Sequence, residues 1–309
     1  MDVIDKIRRK AAAQLKTIVL PEYKDERTVE ASNIIEKEGI AKVLLLSEDR
    51  ISKQDKERYI DEFYSLHKSK VADINEVRKM FSDPLYYAAM MVREGKADGF
   101  VAGASHTTPD VGRAAIRCLG VNERIGVACS CFIMAVPDCE YGARGTFVFA
   151  DCGLIPEPNP RQLACIAVTS AELTVRVLDL VPRVALLSYS TKGSAKGKAI
   201  DKIVEALGLV REMAPDLLID GELQVDAAIV PEVAEIKYPK SPIGGNANVL
   251  IFPSLEAGNI SYKLVQRLSE ARALGPLILG LNKPCSDLSR GCSIEDIVDC
   301  VAVTAIRAQ

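Results

Sequence analysis

One ten-residue stretch near the C-terminal end of the chain gathers hydroxyls, a guanidinium, a thiol and carboxylates. It reads Asp287-Leu-Ser-Arg-Gly-Cys-Ser-Ile-Glu-Asp296 and is predicted to follow a strand and an Asn-Lys-Pro turn. Ser289 and Arg290 fall in the predicted loop, where a hydroxyl and a guanidinium can bind a phosphate-bearing anion. Ser293 and Asp296 also have the spacing of a helix capping box. The pattern alone therefore favours a structural role for Asp296, as an acid in the first helical turn.

A second candidate anion site follows the predicted strand Gly99–Ala102. The loop after this strand contains three hydroxyl side chains, those of Ser105, Thr107 and Thr108. A helix is predicted to begin at Pro109, where the missing N–H costs nothing, and helix N-termini attract phosphate. Arg113 lies about one turn into that helix and could cover the same anion. The alternative is an ordinary threonine N-cap beside a surface arginine.

A third loop, Tyr189–Lys198, is rich in lysine and glycine and precedes another predicted helix. It fails the P-loop spacing, because Gly193 and Gly197 are one residue too close and Ala199 stands where that motif has a Mg²⁺-binding hydroxyl. Such a loop can still hold an anionic group, and a solvated basic turn is the alternative. A fourth loop, Phe252–Asn259, has the weakest signal and is more typical of a tight connection.

Short apolar runs alternate with longer amphipathic stretches along the whole chain. The predicted strands are Thr17–Pro21, Lys42–Leu46, Gly99–Ala102, Val127–Ala135, Phe147–Ala150, Val184–Ser188, Leu217–Asp220, Val249–Phe252 and Leu277–Leu279. The predicted helices include Asp25–Glu38, Asp83–Gly95, Arg161–Leu178, Lys198–Ala214, Leu255–Leu268 and a final helix from Ser293. This alternation predicts an α/β fold with mainly parallel sheets covered by helices on both faces. The short loop between Val127–Ala135 and Phe147–Ala150 predicts an antiparallel hairpin.

Composition limits the classes of function. A chain of 309 residues with 48% apolar and 26% charged residues is expected to form two domains with a core each. The net charge of −3 gives no reason to expect nucleic-acid binding. No apolar run is long enough for a transmembrane helix, and the charged N-terminal segment lacks the apolar core of a signal peptide. We therefore expect neither a nucleic-acid nor a membrane partner.

Cysteine and histidine usage narrows the chemistry further. The nine cysteines are odd in number and scattered, which predicts reduced core thiols and a cytoplasmic location. The two histidines, His67 and His106, are too few for a histidine-rich metal site, and neither lies in a nucleophile elbow. Any acid–base chemistry is therefore expected from a carboxylate.

Several segments match a known family in the right order. They are Ala97-Asp-Gly-Phe-Val-Ala-Gly-Ala-Ser-His-Thr-Thr108 with Arg113, Phe149-Ala-Asp-Cys152, Pro182–Lys196, Asp220–Asp226, Phe252–Asn259, and Asp287-Leu-Ser-Arg-Gly-Cys292 with Asp296. On these segments, and almost end to end, the chain resembles the phosphate acetyltransferases (phosphotransacetylases) of the phosphate acetyl/butyryltransferase family.

The resemblance implies a fold of two α/β domains, each a mainly parallel sheet flanked by helices. This fold is similar to that of the isocitrate and isopropylmalate dehydrogenases, with the active site in the interdomain cleft. The first domain would comprise residues 1–124 and 276–309, and the second residues 125–275, where a homodimer interface is expected. The implied reaction is acetyl-CoA + phosphate ⇌ acetyl phosphate + CoA. Coenzyme A is then a substrate, and neither a bound cofactor nor a metal is expected.

The resemblance also implies roles for individual residues. Asp296 would deprotonate the CoA thiol, whose pKa is about 8.5 when free. Ser289 and Arg290 would bind the acyl phosphate and stabilise the oxyanion formed on attack. The remaining expected contacts are Arg113, Thr107, Thr108 and Ser105 with phosphate, and Lys192, Gly193, Ser194 and Lys196 with CoA phosphates. Transfer would be direct, so that Cys152 is not needed as a nucleophile and is expected to be structural or merely near the site.

Two departures from the family pattern accompany this resemblance. A functional arginine common in the first domain of the family has no counterpart near His67 and Lys68. Lys68, Arg78 or Arg93 could replace it. The loop Val136–Gly145 is longer than usual. Both departures leave room for a different acyl group, such as propionyl or butyryl, for an altered CoA affinity, or for a loss of activity.

Two other classes of function stand as alternatives. A nicotinamide-dependent decarboxylating dehydrogenase would have the implied fold, but the sequence lacks a metal-binding aspartate cluster paired with a substrate-binding arginine triad. A non-enzymatic module that senses CoA or acyl phosphate would bind CoA tightly without turnover.

Overall fold

The computed structural model describes residues 2–309 and contains two compact units. The first unit comprises the residues up to Asn122 together with Leu281–Gln309, and the second is Glu123–Gly280. Helices α1–α13 and strands β1–β10 are numbered below in chain order. No helix of the described residues is long and apolar enough to cross a membrane.

The first unit is built on a parallel sheet with the strand order β2-β1-β3-β10. Its elements are α1 (Val3–Ala13), β1 (Thr17–Leu20), α2 (Glu26–Lys37), β2 (Lys42–Leu45), α3 (Lys53–His67), α4 (Ile74–Met80), α5 (Pro84–Arg93), β3 (Gly99–Ala102), α6 (Thr108–Leu119), β10 (Cys285–Asp287) and α13 (Ile294–Ala308). Strands β1 and β3 are almost wholly buried, as expected of a sheet that is covered on both faces. Because the strands are parallel, the carboxyl ends of β1, β3 and β10 lie side by side at one edge.

Helix α13 packs against α1, α2 and β3. Its buried face runs from Ile297 to Ile306. Arg8 of α1 donates a hydrogen bond of 2.7 Å to the buried carboxylate of Asp299 on α13. Apolar packing and this ion pair together hold the final helix on the same core as the first one.

The second unit has the strand order β9-β4-β5-β8-β6-β7. Its elements are β4 (Cys129–Ala135), the short turn of helix α7 (Tyr141–Arg144), β5 (Thr146–Ala150), α8 (Pro160–Leu178), β6 (Arg183–Leu187), α9 (Lys198–Met213), β7 (Leu218–Leu223), α10 (Val225–Ile229), α11 (Pro231–Lys237), β8 (Val249–Ile251), α12 (Leu255–Leu268) and β9 (Arg272–Leu279). Strand β4 pairs antiparallel with β5 and β9, and the other pairs are parallel. The core includes Phe132, Phe147, Phe149 and Phe252.

The α/β class and the β4–β5 hairpin are confirmed, whereas three local predictions are wrong or incomplete. Strand β10 lies where only a turn and a loop were predicted, because its three residues are polar or small and carry no apolar pattern. Helix α6 begins at Thr108, one residue before the predicted start at Pro109. Strand β9 begins at Arg272, five residues before the predicted Leu277. Helices α3, α4, α10 and α11 and the short turn α7 lie in stretches for which the sequence pattern predicts no helix.

Candidate functional site

Three loops of the first unit meet at the carboxyl edge of its sheet. The first carries Glu22 and leads from β1 into α2. The other two are named here the β3 loop (residues 103–107) and the β10 loop (residues 288–293). They are close because β1, β3 and β10 are neighbours, and this is the edge at which parallel α/β sheets bind ligands.

The carboxylate of Glu22 is buried and accepts hydrogen bonds from the whole β3 loop. Four backbone N–H groups donate to it, those of Gly103 (2.9 Å), Ala104 (2.8 Å), Ser105 (2.8 Å) and His106 (3.0 Å). The hydroxyl of Ser105 donates as well, at 3.0 Å. Burial alone would raise the pKa of Glu22, but the hydrogen bonds from His106 and the loop outweigh it and lower the pKa. Of the residues predicted to bind phosphate, Ser105 therefore donates to a carboxylate of the chain itself.

His106 is a cation in this arrangement. Its Nδ1 lies 2.7 Å from Glu22 Oε1 and its Nε2 lies 3.4 Å from Asp83 Oδ1. Hydrogen bonds to Asp83 and Glu22 raise the pKa of His106 to about 10. The imidazolium is thus charged at neutral pH and does not serve as a base. His67, by contrast, lies at the end of α3 with Nε2 2.8 Å from the carbonyl oxygen of Arg117.

The predicted phosphate-binding residues at the start of α6 have different surroundings. The hydroxyl of Thr107 donates to Asp110 at 2.6 Å, and the half-exposed Arg113 donates to the same carboxylate at 3.1 Å. Arg113 lines a cavity of about 310 Å³ bounded by α4, α5 and α6. Lys79 lines this cavity too and is a cation that sequence reasoning did not single out. The three candidates for the missing arginine do not line it. Arg78 pairs with Glu57 and Arg93 with Glu62.

The β10 loop presents Ser289 and Arg290 to solvent. Behind them, Ser293 and Asp296 form the capping box that their spacing predicts. The N–H of Ser293 donates to Asp296 Oδ2 at 2.9 Å, and the N–H of Asp296 donates to the Ser293 hydroxyl at 3.2 Å. Within residues 2–309, Asp296 Oδ1 accepts no hydrogen bond, so a structural and a chemical role are compatible.

Asp287, at the end of β10, is fully buried. Neither of its carboxylate oxygens has a well-formed hydrogen bond among the described residues. Burial raises the pKa of Asp287 to about 7, although the nearby Thr108 hydroxyl and Leu288 N–H act in the opposite direction. Gly103 is required beside it, because a Cβ at that position would overlap Asp287 and the Leu288 backbone.

The Lys192–Lys196 loop belongs to the second unit and is held mainly by internal contacts. The ammonium of Lys192 pairs with Asp220 and donates to the carbonyl oxygen of Gly221. The N–H of Gly193 donates to Glu222 at 2.7 Å, and the Ser194 hydroxyl accepts from the N–H of Thr191 at 3.0 Å. Lys196 is exposed. Of the predicted CoA contacts, Lys196 is therefore the one whose charge the described chain leaves unpaired.

Cys152 is fully buried, and burial raises the pKa of its thiol well above the ordinary value. A thiol in this state is a poor nucleophile. Its backbone carbonyl accepts a hydrogen bond of 3.0 Å from Asn259. Cys152 is thus a core cysteine.

Sequence reasoning missed three residues that organise this edge, namely Glu22, Arg27 and Asp287. Each stands at or just after the carboxyl end of a buried strand, or at the start of the helix that follows. A charged residue in that position can be used to predict a site, because a charge that is buried there needs hydrogen-bond partners, and the neighbouring loops supply them.

Solved structures of other proteins share the fold of this chain. The chain shares its fold with a 4-hydroxythreonine-4-phosphate dehydrogenase from Burkholderia phymatum, at 11% identity and a TM-score of 0.53 over 94% of this chain and 98% of that one. A phosphotransacetylase from Streptococcus pyogenes is far more similar, at 37% identity and a TM-score of 0.90 over 99% and 98%. The dehydrogenase-like α/β architecture is thus confirmed, and the similarity to the dehydrogenase concerns the fold alone.

The sequence comparisons then give the family. Residues 2–305 match the family described as Phosphate acetyl/butaryl transferase. A phosphate acetyltransferase of Thermoanaerobacterium thermosaccharolyticum is 46% identical over 100% of both chains, and one of Acetivibrio thermocellus is 47% identical over 100% of this chain and 99% of its own. The chain belongs to the phosphate acetyl/butyryltransferase family. The first alignment spans 328 positions against 309 residues here, so that relative carries residues which this chain lacks.

The buried carboxyl of Asp287 predicts a pH-dependent stability. In the unfolded chain its pKa is near 3.8, and in the folded protein it is about 7. Between these values the folded protein retains a proton that the unfolded chain releases. The free energy of unfolding should therefore fall by up to about 4 kcal/mol as the pH rises from about 4 to 7. The variant Asp287→Asn cannot ionise and should lack this component.

The measurement is urea denaturation of both proteins at intervals from pH 4 to pH 8. The stability of the variant relative to the natural protein should increase with pH and level off above pH 7. A difference that stays constant over the whole range would show that Asp287 does not titrate in this way.

Proposed function

We propose that this protein catalyses the reversible transfer of an acetyl group between coenzyme A and phosphate. One observation carries the proposal. The β10 loop presents Ser289 and Arg290 to solvent beside Asp296, whose Oδ1 is free, in a chain whose relatives are phosphate acetyltransferases. Coenzyme A is a substrate in this proposal, and no resident cofactor or metal takes part.

Asp296 is the proposed base. A thiol with a pKa of about 8.5 is mostly protonated at neutral pH, and the thiolate is the nucleophile. Asp296 takes the thiol proton, and the sulfur attacks the carbonyl carbon of acetyl phosphate. The new C–S bond forms as the C–O bond to phosphate breaks, and phosphate leaves with the electron pair. The capping hydrogen bond that Oδ2 accepts from the Ser293 N–H keeps the carboxylate in a fixed orientation for this step.

Ser289 and Arg290 are the proposed ligands of the reacting group. A hydroxyl and a guanidinium at the carbonyl oxygen stabilise the negative charge that develops there during attack. Arg113 is proposed to bind the phosphate from its cavity, together with Thr108 at the start of α6. Ser105 and Thr107 contribute less to phosphate binding in this scheme, because the Ser105 hydroxyl donates its hydrogen bond to Glu22 and the Thr107 hydroxyl donates to Asp110. Lys196 is the preferred candidate for a CoA phosphate.

We further propose that the protein is a cytoplasmic homodimer that uses the second unit as its interface. Of the residues in α12 only Gly258 is buried, and the helix exposes Ile260, Leu264 and Leu268. Leu264 and Leu268 line an almost wholly apolar cavity of about 510 Å³, together with Val225, Phe252 and Val265. Apolar surface of this extent favours association with a self-complementary partner, for which a second copy of this chain is proposed.

The activity is tested with an ultraviolet assay for thioester formation from CoA and acetyl phosphate, repeated with propionyl and butyryl phosphates. Acetyl phosphate should give the highest kcat/KM. If a longer acyl phosphate gives the highest kcat/KM, the reaction class stands and the proposed acetyl substrate is wrong. If none of the three yields a thioester, the proposed function is wrong, and tight CoA binding without turnover would then favour a sensor.

The roles of the loop residues are tested with Arg290→Ala and Asp296→Asn. Each should lower kcat by roughly 10²- to 10⁴-fold, because an oxyanion ligand or a general base is lost. Stability should change by less than about 1 kcal/mol, since Arg290 is exposed and an asparagine can still accept the capping hydrogen bond. The matched control is Glu295→Gln, one residue before the proposed base. If Asp296→Asn unfolds the protein but leaves the specific activity of the folded fraction intact, Asp296 is only a cap.

The interface is tested by light scattering after size-exclusion chromatography. Leu264→Asp and Leu268→Asp should convert a dimer to a monomer, since each places a charge in the apolar contact. Ile236→Asp is the control, because Ile236 is 83% exposed on α11 and does not line the cavity. A natural protein that is monomeric at micromolar concentration contradicts the proposal.

A further inference from the structure

Arg27 uses all of its guanidinium N–H groups inside the first unit. Nε and Nη2 donate to the two oxygens of Asp25 at 3.0 and 2.7 Å. Nη1 donates to the carbonyl oxygens of Arg290 and Cys292, both at 2.9 Å. Nη2 also donates to the carbonyl oxygen of Ala104 at 2.8 Å. A guanidinium has five N–H donors, and all five are engaged.

These contacts join the two loops of the candidate site. Ala104 belongs to the β3 loop, whereas Arg290 and Cys292 belong to the β10 loop. The β3 loop is already held by Glu22, and the start of α2 is already capped, because Asp25 accepts from the N–H of Arg27 at 3.0 Å. Among the described residues, the carbonyls of Arg290 and Cys292 accept no hydrogen bond other than those from Arg27.

At its end the β10 loop is joined to α13 by the Ser293–Asp296 capping box, and Leu288 and Cys292 are buried; around Arg290 its other hydrogen bonds are short and local. The N–H of Cys292 donates to the Ser289 carbonyl at 2.9 Å, and the N–H of Gly291 lies 3.3 Å from the Ser289 hydroxyl. Both contacts lie within the loop, so they shape it without orienting it relative to the sheet. Arg27 supplies the orientation, because it holds the carbonyl of Arg290 itself and the carbonyl of Cys292.

We propose that Arg27 is a positioning residue for the acyl-transfer reaction. This inference rests on the proposed function. Arg27 fixes the carbonyl of Arg290 itself and that of Cys292, two residues further along the loop, and thereby aims the Arg290 side chain, and it does not itself contact the substrate. A lysine cannot replace it, because an ammonium lacks the planar fork that reaches Asp25 and three carbonyls at once. A loop displaced by about 1 Å is enough to slow a reaction by roughly 100-fold.

Arg27→Lys and Arg27→Gln test the proposal kinetically. Both should lower kcat by about 10- to 100-fold, while KM for CoA and for acetyl phosphate stays within about three-fold. In an Arg290→Ala background the same substitution should have little further effect on kcat, because the residue through which Arg27 acts is already absent. The matched control is Arg93→Lys. Arg93 is 31% exposed, like Arg27, and also joins a carboxylate (Glu62) to a carbonyl (Cys118), but away from these loops.

Hydrogen exchange of the ligand-free protein supplies a readout that does not depend on activity. Amides of residues 288–293 should exchange faster in Arg27→Lys than in the natural protein, with residues 103–106 unchanged. Unchanged exchange overturns the proposal, as does a kcat effect that adds fully to that of Arg290→Ala. A rise in KM with kcat unchanged also overturns it, because Arg27 would then be a substrate contact. If the natural protein forms no thioester, the proposed function fails, and the exchange experiment still decides whether Arg27 holds the loop.

Discussion

The carboxylate of Glu22 is the contact on which the carboxyl edge of the first sheet depends. It accepts from four consecutive backbone N–H groups and a hydroxyl, and it leaves water to do so. Removing a carboxylate from water is costly unless its oxygens are fully hydrogen-bonded, so the β3 loop must adopt the one shape that satisfies it. His106 adds a positive charge that is shared with Asp83. The loop shape then places the Ala104 carbonyl where Arg27 can reach it.

Most charged side chains at this edge therefore pair with other groups of the protein, and few are left to bind a substrate. Glu22, His106, Asp25 and Arg27 neutralise one another within the chain. Among the described residues, the exposed groups that remain in the β10 loop are the hydroxyl of Ser289 and the guanidinium of Arg290. Arg113 is exposed too but is paired with Asp110, and one oxygen of Asp296 accepts no hydrogen bond from residues 2–309. A rigid, internally satisfied support beneath a few free groups is the arrangement that preorganised catalysis requires, because the support need not reorganise during the reaction.

Helices and strands can be predicted from the sequence wherever their buried positions are occupied by apolar residues. Strands β1 and β3 are examples, since each is buried on both faces. Strand β10 is not predictable in this way, because Cys285, Ser286 and Asp287 are buried by their neighbours and not by their own hydrophobicity. The Ser293–Asp296 capping box follows from spacing because its contacts are local. The roles of Glu22 and Arg27 cannot be predicted from the chain, since both depend on partners distant in sequence.

The position of β10 and α13 has a consequence for how the protein is made on the ribosome. Both elements follow the entire second unit in the chain, yet they complete the sheet and core of the first. The first unit therefore lacks one sheet strand and one covering helix until the second unit has been synthesised. Its contacts join residues nearly a whole chain apart, which slows folding. The Ser289–Asp296 segment follows the second unit in the chain, so a nascent chain gains this segment only after that unit has been synthesised.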